Sequence, residues 1–132
     1  MVSVFQRRVA FHETDCMGVV HHSVYAKYFE EARVEFLYSN GLNEHHAPNI
    51  DFILAVLSLE VKYVKPLKVG DLFEVKMSTS VEGSTRIFFE YQIFLRETLV
   101  TEGKTLHVGL NSELKVVKPP RELIKGIKEY GS

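Results

Sequence analysis

The chain is poor in cysteine: one residue, Cys16, in 132. A lone cysteine cannot close an internal disulfide, so the disulfide-stapled class of secreted domains is excluded and a reducing cytoplasm is expected. Neither sign of charge is in excess. Lys and Arg number 16, Asp and Glu 17, for a formal net charge of −1. A nucleic-acid protein ordinarily shows a basic excess or stripe, so no nucleic-acid partner is expected. Long apolar runs are also missing. The longest, Phe52 to Leu57, falls far short of the ~20 residues a membrane-spanning helix needs. The opening MVSVFQRRVAF lacks an apolar core of signal-peptide length. No repeat, low-complexity segment or lipidation motif occurs, and no HExxH or CxxC spacing. What is present is ordinary: 45% hydrophobic and 25% charged residues, enough to bury a core. One domain over residues 1–132 is expected.

The hydrophobic period changes once along the chain. Val2 to Phe11 alternates loosely and reads as a strand. Residues 12–22 read as a loop with Gly18 as its flexible point. Ser23 is a candidate N-cap for the helix that follows. On a 3.6-residue wheel Val24, Tyr25, Tyr28, Phe29, Ala32 and Phe36 share a face, with Lys27, Glu30 and Glu31 mostly opposite. Gly41 after Asn40 is a natural stop, which gives about four turns. After Pro48 the period becomes two. Phe52 to Val64, a strand around Phe73, Val75 and Met77, then Arg86 to Arg96 and Leu99 to Leu110, read as four strands in meander-like succession. Pro119 and Pro120 introduce a short C-terminal helix ending near Tyr130. Helix and strands are segregated, so the fold class is α+β: a long helix wrapped by a curved antiparallel sheet of about five strands. Phe88 and Phe94 fall on the polar side of their strand, so a second copy is expected to cover the sheet's outer face and edge.

Chemistry concentrates between Phe11 and Leu37. Asp15 lies in a turn-rich segment that feeds the helix. A helix start offers unpaired N–H groups and partial positive charge. A carboxylate beside such donors can act as nucleophile or general base next to an oxyanion site. The plainer alternative is that Asp15 caps its own turn. Glu13, two residues earlier, reads as a solvated loop charge. His12, Glu13, His21 and His22 invite a metal, but adjacent side chains diverge and no ligand spacing supports one. His45 and His46 read as loop residues at the surface or the rim of a site. Cys16 reads as a buried structural thiol. Glu35 falls at the edge of the apolar face, where a charge should be paired or face an interface, and with Arg33 reads as structural.

The run D-x-x-G-V-V-H-H-x-x-Y from Asp15 to Tyr25, followed by F-E-x-A-R-x-E-x-L from Phe29 to Leu37, resembles the hotdog-fold acyl-CoA thioesterases of the 4-hydroxybenzoyl-CoA thioesterase and YbgC type. The resemblance continues through Val61-Lys62-Tyr63, Pro66-Leu67, Gly70-Asp71 and Gly83-Ser84-Thr85, nearly the whole chain. It implies hydrolysis of an acyl-CoA thioester, with Asp15 as the catalytic carboxylate. The backbone N–H of His22 would polarise the thioester carbonyl. It implies no metal and no organic cofactor, CoA being part of the substrate. It also implies a homodimer or homotetramer with sites at the subunit interface. Met17, Gly18, His21 and Tyr25 are then expected to line the substrate site, with Phe52 a further wall. Ser84, Thr85 and Arg86 are expected near the pantetheine and nucleotide, with Lys62, Lys65 and Lys118 as further cations for its phosphates. Cys16, Met17 and His21 depart from the family's usual residues, which bears on the acyl group more than on the chemistry.

Two rivals share this fold. A hydratase or dehydratase on acyl thioesters would move protons at carbon and release no thiol. A non-catalytic acyl-CoA or acyl-carrier-protein binding module would bind without turnover.

Overall fold

The computed structural model describes residues 1–43 and 51–131, so His45, His46 and Pro48 lie outside the described residues. In chain order the elements are β1 (Val2–Arg8), a 3-10 turn (Phe11–Glu13), α1 (Val24–Ser39), β2 (Ile53–Tyr63), β3 (Leu72–Glu82), β4 (Arg86–Leu95), β5 (Thr98–Leu110), β6 (Val116–Val117) and α2 (Arg121–Tyr130). The class is α+β with an antiparallel sheet and a short C-terminal helix. The 3-10 turn and the two-residue β6 are too short to leave a period in the sequence.

The strands run β1-β3-β4-β5-β2, and β6 pairs with β5. β4 shows why they form. Ile87, Phe89, Tyr91 and Ile93 are at most 1% exposed, while Arg86, Phe88, Glu90 and Gln92 alternate with them on the outer face. The meander expectation holds for β3, β4 and β5 only. β2 pairs not with β3 but with β5, from Ile53↔Leu110 to Tyr63↔Thr101. The connection 64–71 therefore crosses the end of the sheet. Val64 and Lys65 both donate N–H to Val100 O, each at 3.0 Å, and Leu67 is fully buried. Alternation fixes which face a residue occupies but not which strand lies beside it.

α1 has 16 residues and buries Val24, Tyr25, Tyr28, Phe29, Ala32, Phe36 and Leu37. Each large side chain so buried contributes roughly 1.5–3 kcal/mol. Phe29 stacks on Tyr91 with centroids 4.4 Å apart, and Tyr28 packs on Phe73 at 4.6 Å. Gly103 opposite Tyr91 makes room: a Cβ there would collide with the Phe29 ring. The helix stops as its sequence indicates. Gly41 has φ 73°, Gly41 N–H donates to Tyr38 O, and Leu42 N–H returns to Leu37 O at 2.7 Å. Ser23 does occupy the N-cap position, but its hydroxyl makes no capping bond to the helix.

Two surfaces differ from expectation. Phe88 and Phe94 are not bare, since Lys104 and Lys76 sit over their rings at 4.7 and 5.1 Å. The open apolar surface is on β2 instead, an edge strand whose Val56, Leu57, Leu59 and Tyr63 are 45–57% exposed. Glu35 is exposed and accepts the Ser39 hydroxyl at 3.0 Å, whereas Arg33 is buried and donates to the Tyr91 hydroxyl at 3.1 Å.

Candidate active site

Asp15 stands in a tight loop that closes on itself. Its N–H donates to Val19 O at 2.8 Å, and Gly18 N–H returns to Asp15 O at 3.1 Å. Gly18 takes φ 76°, which glycine adopts without strain. Asp15 Oδ1 accepts Met17 N–H at 2.8 Å and lies 3.4 Å from Val19 N. Oδ2 accepts no hydrogen bond among the described residues, and the side chain is exposed. One carboxylate oxygen thus caps the turn while the other faces solvent. The loop is tied to the 64–71 crossover by Val20 N–H to Leu67 O (2.8 Å) and Val69 N–H to Gly18 O (3.0 Å).

The chain then turns into α1. Val24 N–H donates to His21 O at 3.0 Å. His22 O accepts the Tyr63 hydroxyl at 2.9 Å, which docks the helix start on the end of β2. The His22 N–H has no acceptor among the described residues, as expected of a donor at a helix start. His21 Nδ1 accepts Ser23 N–H at 3.2 Å and lies 2.8 Å from its hydroxyl. The His21 and His22 rings do not diverge, as adjacency suggested. They pack at 4.1 Å, tilted by 32°, with the His21 ring bonded forward to Ser23. Among the described residues no three His, Cys, Asp or Glu side chains come close enough to hold a metal ion.

Glu13 is a correction. It is not solvated but 8% exposed. Its carboxylate takes Arg7 through both guanidinium ends (3.0 and 2.5 Å), Ala10 N–H (2.8 Å) and the Tyr28 hydroxyl (3.0 Å). Burial raises its pKa, but the Arg7, Ala10 and Tyr28 hydrogen bonds outweigh it and hold the group below the usual carboxylate value. Arg7 also reaches Glu31 at 3.1 Å and lies over the Tyr28 ring at 4.9 Å. Cys16 is a second correction: it is exposed, on a loop whose neighbours Asp15 and Met17 are exposed with it.

The sequence profile of the thioesterase-like superfamily matches residues 9–127. The chain belongs to the thioesterase-like superfamily. This thioesterase is 30% identical to the acyl-CoA thioester hydrolase YbgC of Escherichia coli O157:H7, across 91% of this chain and 88% of that protein. It is 34% identical to a chloroplastic acyl-acyl carrier protein thioesterase of Arabidopsis thaliana, over 88% of its own length but only 62% of that longer protein. A crystal structure from Thermus thermophilus superposes with a TM-score of 0.87 at 32% identity, covering 97% of this chain and 98% of that one. The enzyme is therefore a thioester hydrolase.

The expected site residues of this thioesterase fall into three places. Asp15, Met17, Gly18, His21 and His22 share one end of the molecule, and Met17 is 82% exposed there. Tyr25 lies beneath them, 2% exposed, edge-on to Tyr63 at 5.2 Å. Burial pushes its hydroxyl pKa up, and its hydroxyl faces Leu67 and Thr101 rather than solvent. Ser84 and Thr85 lie in the β3–β4 turn at the far end, and Arg86 opens β4 there. β3 has 11 residues, so at ~3.3 Å each they lie on the order of 35 Å from its start beside the Asp15 loop. Phe52 is at that far end too, buried against Gly109. Lys62 is exposed on the outer face, opposite Glu102. Glu13, Arg7, Tyr28 and Tyr63 are the supporting residues that sequence reasoning missed. Arg7 and Tyr28 gave one available signal: two residues of opposite elements, each suited to hold a carboxylate.

Proposed function

We propose that this thioesterase hydrolyses an acyl-CoA thioester to the free acid and CoA, as a homodimer built on the β2 edge. Asp15 attacks the thioester carbonyl or takes a proton from the attacking water. The His22 N–H holds the oxygen as it becomes negative. One such donor is worth ~3–4 kcal/mol in an acyl-transfer transition state. CoA leaves as thiolate, a good leaving group, so no strong general acid is needed. Water completes the balance, directly or by hydrolysing an acyl-Asp15 anhydride, and no cofactor enters.

The observation that carries this reading is the pairing of a half-free carboxylate and an unpaired helix-start N–H at the two ends of one pinned loop. The turn-capping role of Asp15 does not compete with it, since capping uses Oδ1 and leaves Oδ2.

The dimer follows from what one chain lacks. β2 is an edge strand with an open ladder and exposed apolar side chains, a template for pairing with another strand. Two-fold pairing of β2 with the partner's copy is antiparallel, and it turns the partner end for end. The β3–β4 turn of the partner then comes to the same end as Asp15. In that arrangement Ser84, Thr85 and Arg86 can meet the pantetheine and phosphates of a substrate held by the other chain. Lys62 is the weaker candidate for the phosphates because it faces away from α1.

The relatives act on both CoA and carrier-protein thioesters by name. The test is thiol release from a panel of acyl-CoAs beside the matching acyl-carrier proteins. Turnover of acyl-CoA supports the proposal, turnover of carrier-protein thioesters alone moves the substrate class, and hydration of an enoyl thioester without thiol release rejects hydrolysis.

A further inference from the structure

The Asp15 loop has almost no packing of its own. Between Thr14 and Val19 no side chain is buried, and Cys16 and Met17 face solvent. Yet the proposed chemistry needs Asp15 and the His22 N–H held to within fractions of an ångström, and misplacement by 1 Å can cost ~100-fold in rate. Hydrogen bonds must therefore supply the rigidity that a core does not.

Six of them meet at one residue, Glu13. Glu13 N–H donates to Ala10 O, and Glu13 O accepts His21 N–H, each at 3.0 Å. This closes the loop between the residues flanking Asp15 and His22. The Glu13 side chain then fixes that closure to three other parts of the fold: Arg7 on β1, Tyr28 on α1 and the Ala10 amide ahead of the loop. Arg7 is itself held between Glu13, Glu31 and the faces of Tyr28 and Phe73. An ion pair drawn out of water is weak evidence for stability, because desolvation offsets much of the attraction. Here burial is the largest influence on Glu13 and opposes its charge. Against that cost stands what the pair holds in place, the loop.

Resting on the function proposed above, we infer that Glu13 is a positioning residue for catalysis: clasped by Arg7 and Tyr28, it sets the geometry between the Asp15 carboxylate and the His22 N–H. It touches no substrate and acts through the loop.

The experiment compares the native enzyme with Glu13→Gln and Tyr28→Phe by two readouts, residue-resolved amide hydrogen exchange and steady-state kinetics on the best acyl-CoA. For Glu13→Gln, the His21, Asp15 and Gly18 amides are expected to exchange at least ~10-fold faster, while β4 and β5 amides change little. kcat should fall ~10–100-fold, the range seen when outer-shell partners are removed, with KM within ~3-fold. Tyr28→Phe removes one bond and should show the same pattern at a few-fold; it carries the test alone if Glu13→Gln does not fold. A kcat equal to native, or exchange accelerated uniformly through the sheet, overturns the inference. The exchange readout needs no turnover. An inactive native enzyme with a loosened loop in Glu13→Gln counts against the function proposed, and an active one with an unmoved loop counts against the clasp.

Discussion

His107 lies on β5 under α1 at 1% exposure, with Nε2 2.9 Å from the Thr105 hydroxyl and its ring edge-on to Phe89 at 5.0 Å. Burial, aided by the positive charge of Arg33, lowers its pKa from 6.5 to about 3. The folded state therefore keeps it neutral where the unfolded chain takes a proton. Below pH ~6.5 the unfolded state binds more protons, so stability falls as pH drops, until the folded pKa near 3 is reached. The slope is at most about 1.4 kcal/mol per pH unit. Glu13 works lower: its folded pKa is depressed below 4.5, so its contribution holds above that value and is lost as pH falls through it. Urea unfolding midpoints between pH 7 and 5 should fall for the native enzyme and flatten in a folded His107→Leu. Asp15 stands out in the sequence as a candidate because its neighbours form a motif. Glu13 does not, because its partners Arg7 and Tyr28 sit on different elements, and a loop carboxylate seen alone looks solvated. Cys16 was misread for the converse reason: its usual burial says nothing about an exposed loop.

At the scale of elements, α1 and β4 were legible because each carries a full period and its own stop. Gly41 sits where the helix needs a left-handed residue, and β4 alternates without a break. The place of β2 was not legible. Its pattern is apolar on both faces at first, which fits a buried strand as well as an edge awaiting a partner. Only the 64–71 crossover, with its bonds to Val100 and Leu67, decides the order. Gly103 shows how closely helix and sheet meet. Gly103→Ala must push the Phe29 ring off Tyr91, and overpacking of this kind costs ~1–3 kcal/mol. A thermal melt should show a Tm lower by several degrees, with thiol release at moderate temperature retained.

At the scale of the whole molecule, one chain holds the Asp15 carboxylate and the free His22 N–H at one end, and Ser84, Thr85 and Arg86 at the other. In the proposed dimer, pairing along β2 brings complementary ends together and covers Val56, Leu59 and Tyr63. Leu59→Glu places a charge in that seam while leaving the Asp15 loop untouched. Sedimentation should find the native enzyme dimeric and Leu59→Glu shifted to monomer, with kcat/KM lower by at least ~10-fold; a fully active monomer would reject the shared site. The most direct measurement is thiol release by Asp15→Asn beside the native enzyme, on the acyl-CoA the native enzyme turns over best. Asparagine keeps the Oδ1 cap on Met17 N–H but can neither attack nor take a proton. Loss of at least ~100-fold in kcat with KM within a few-fold is the predicted result; release at the native rate would contradict a catalytic Asp15.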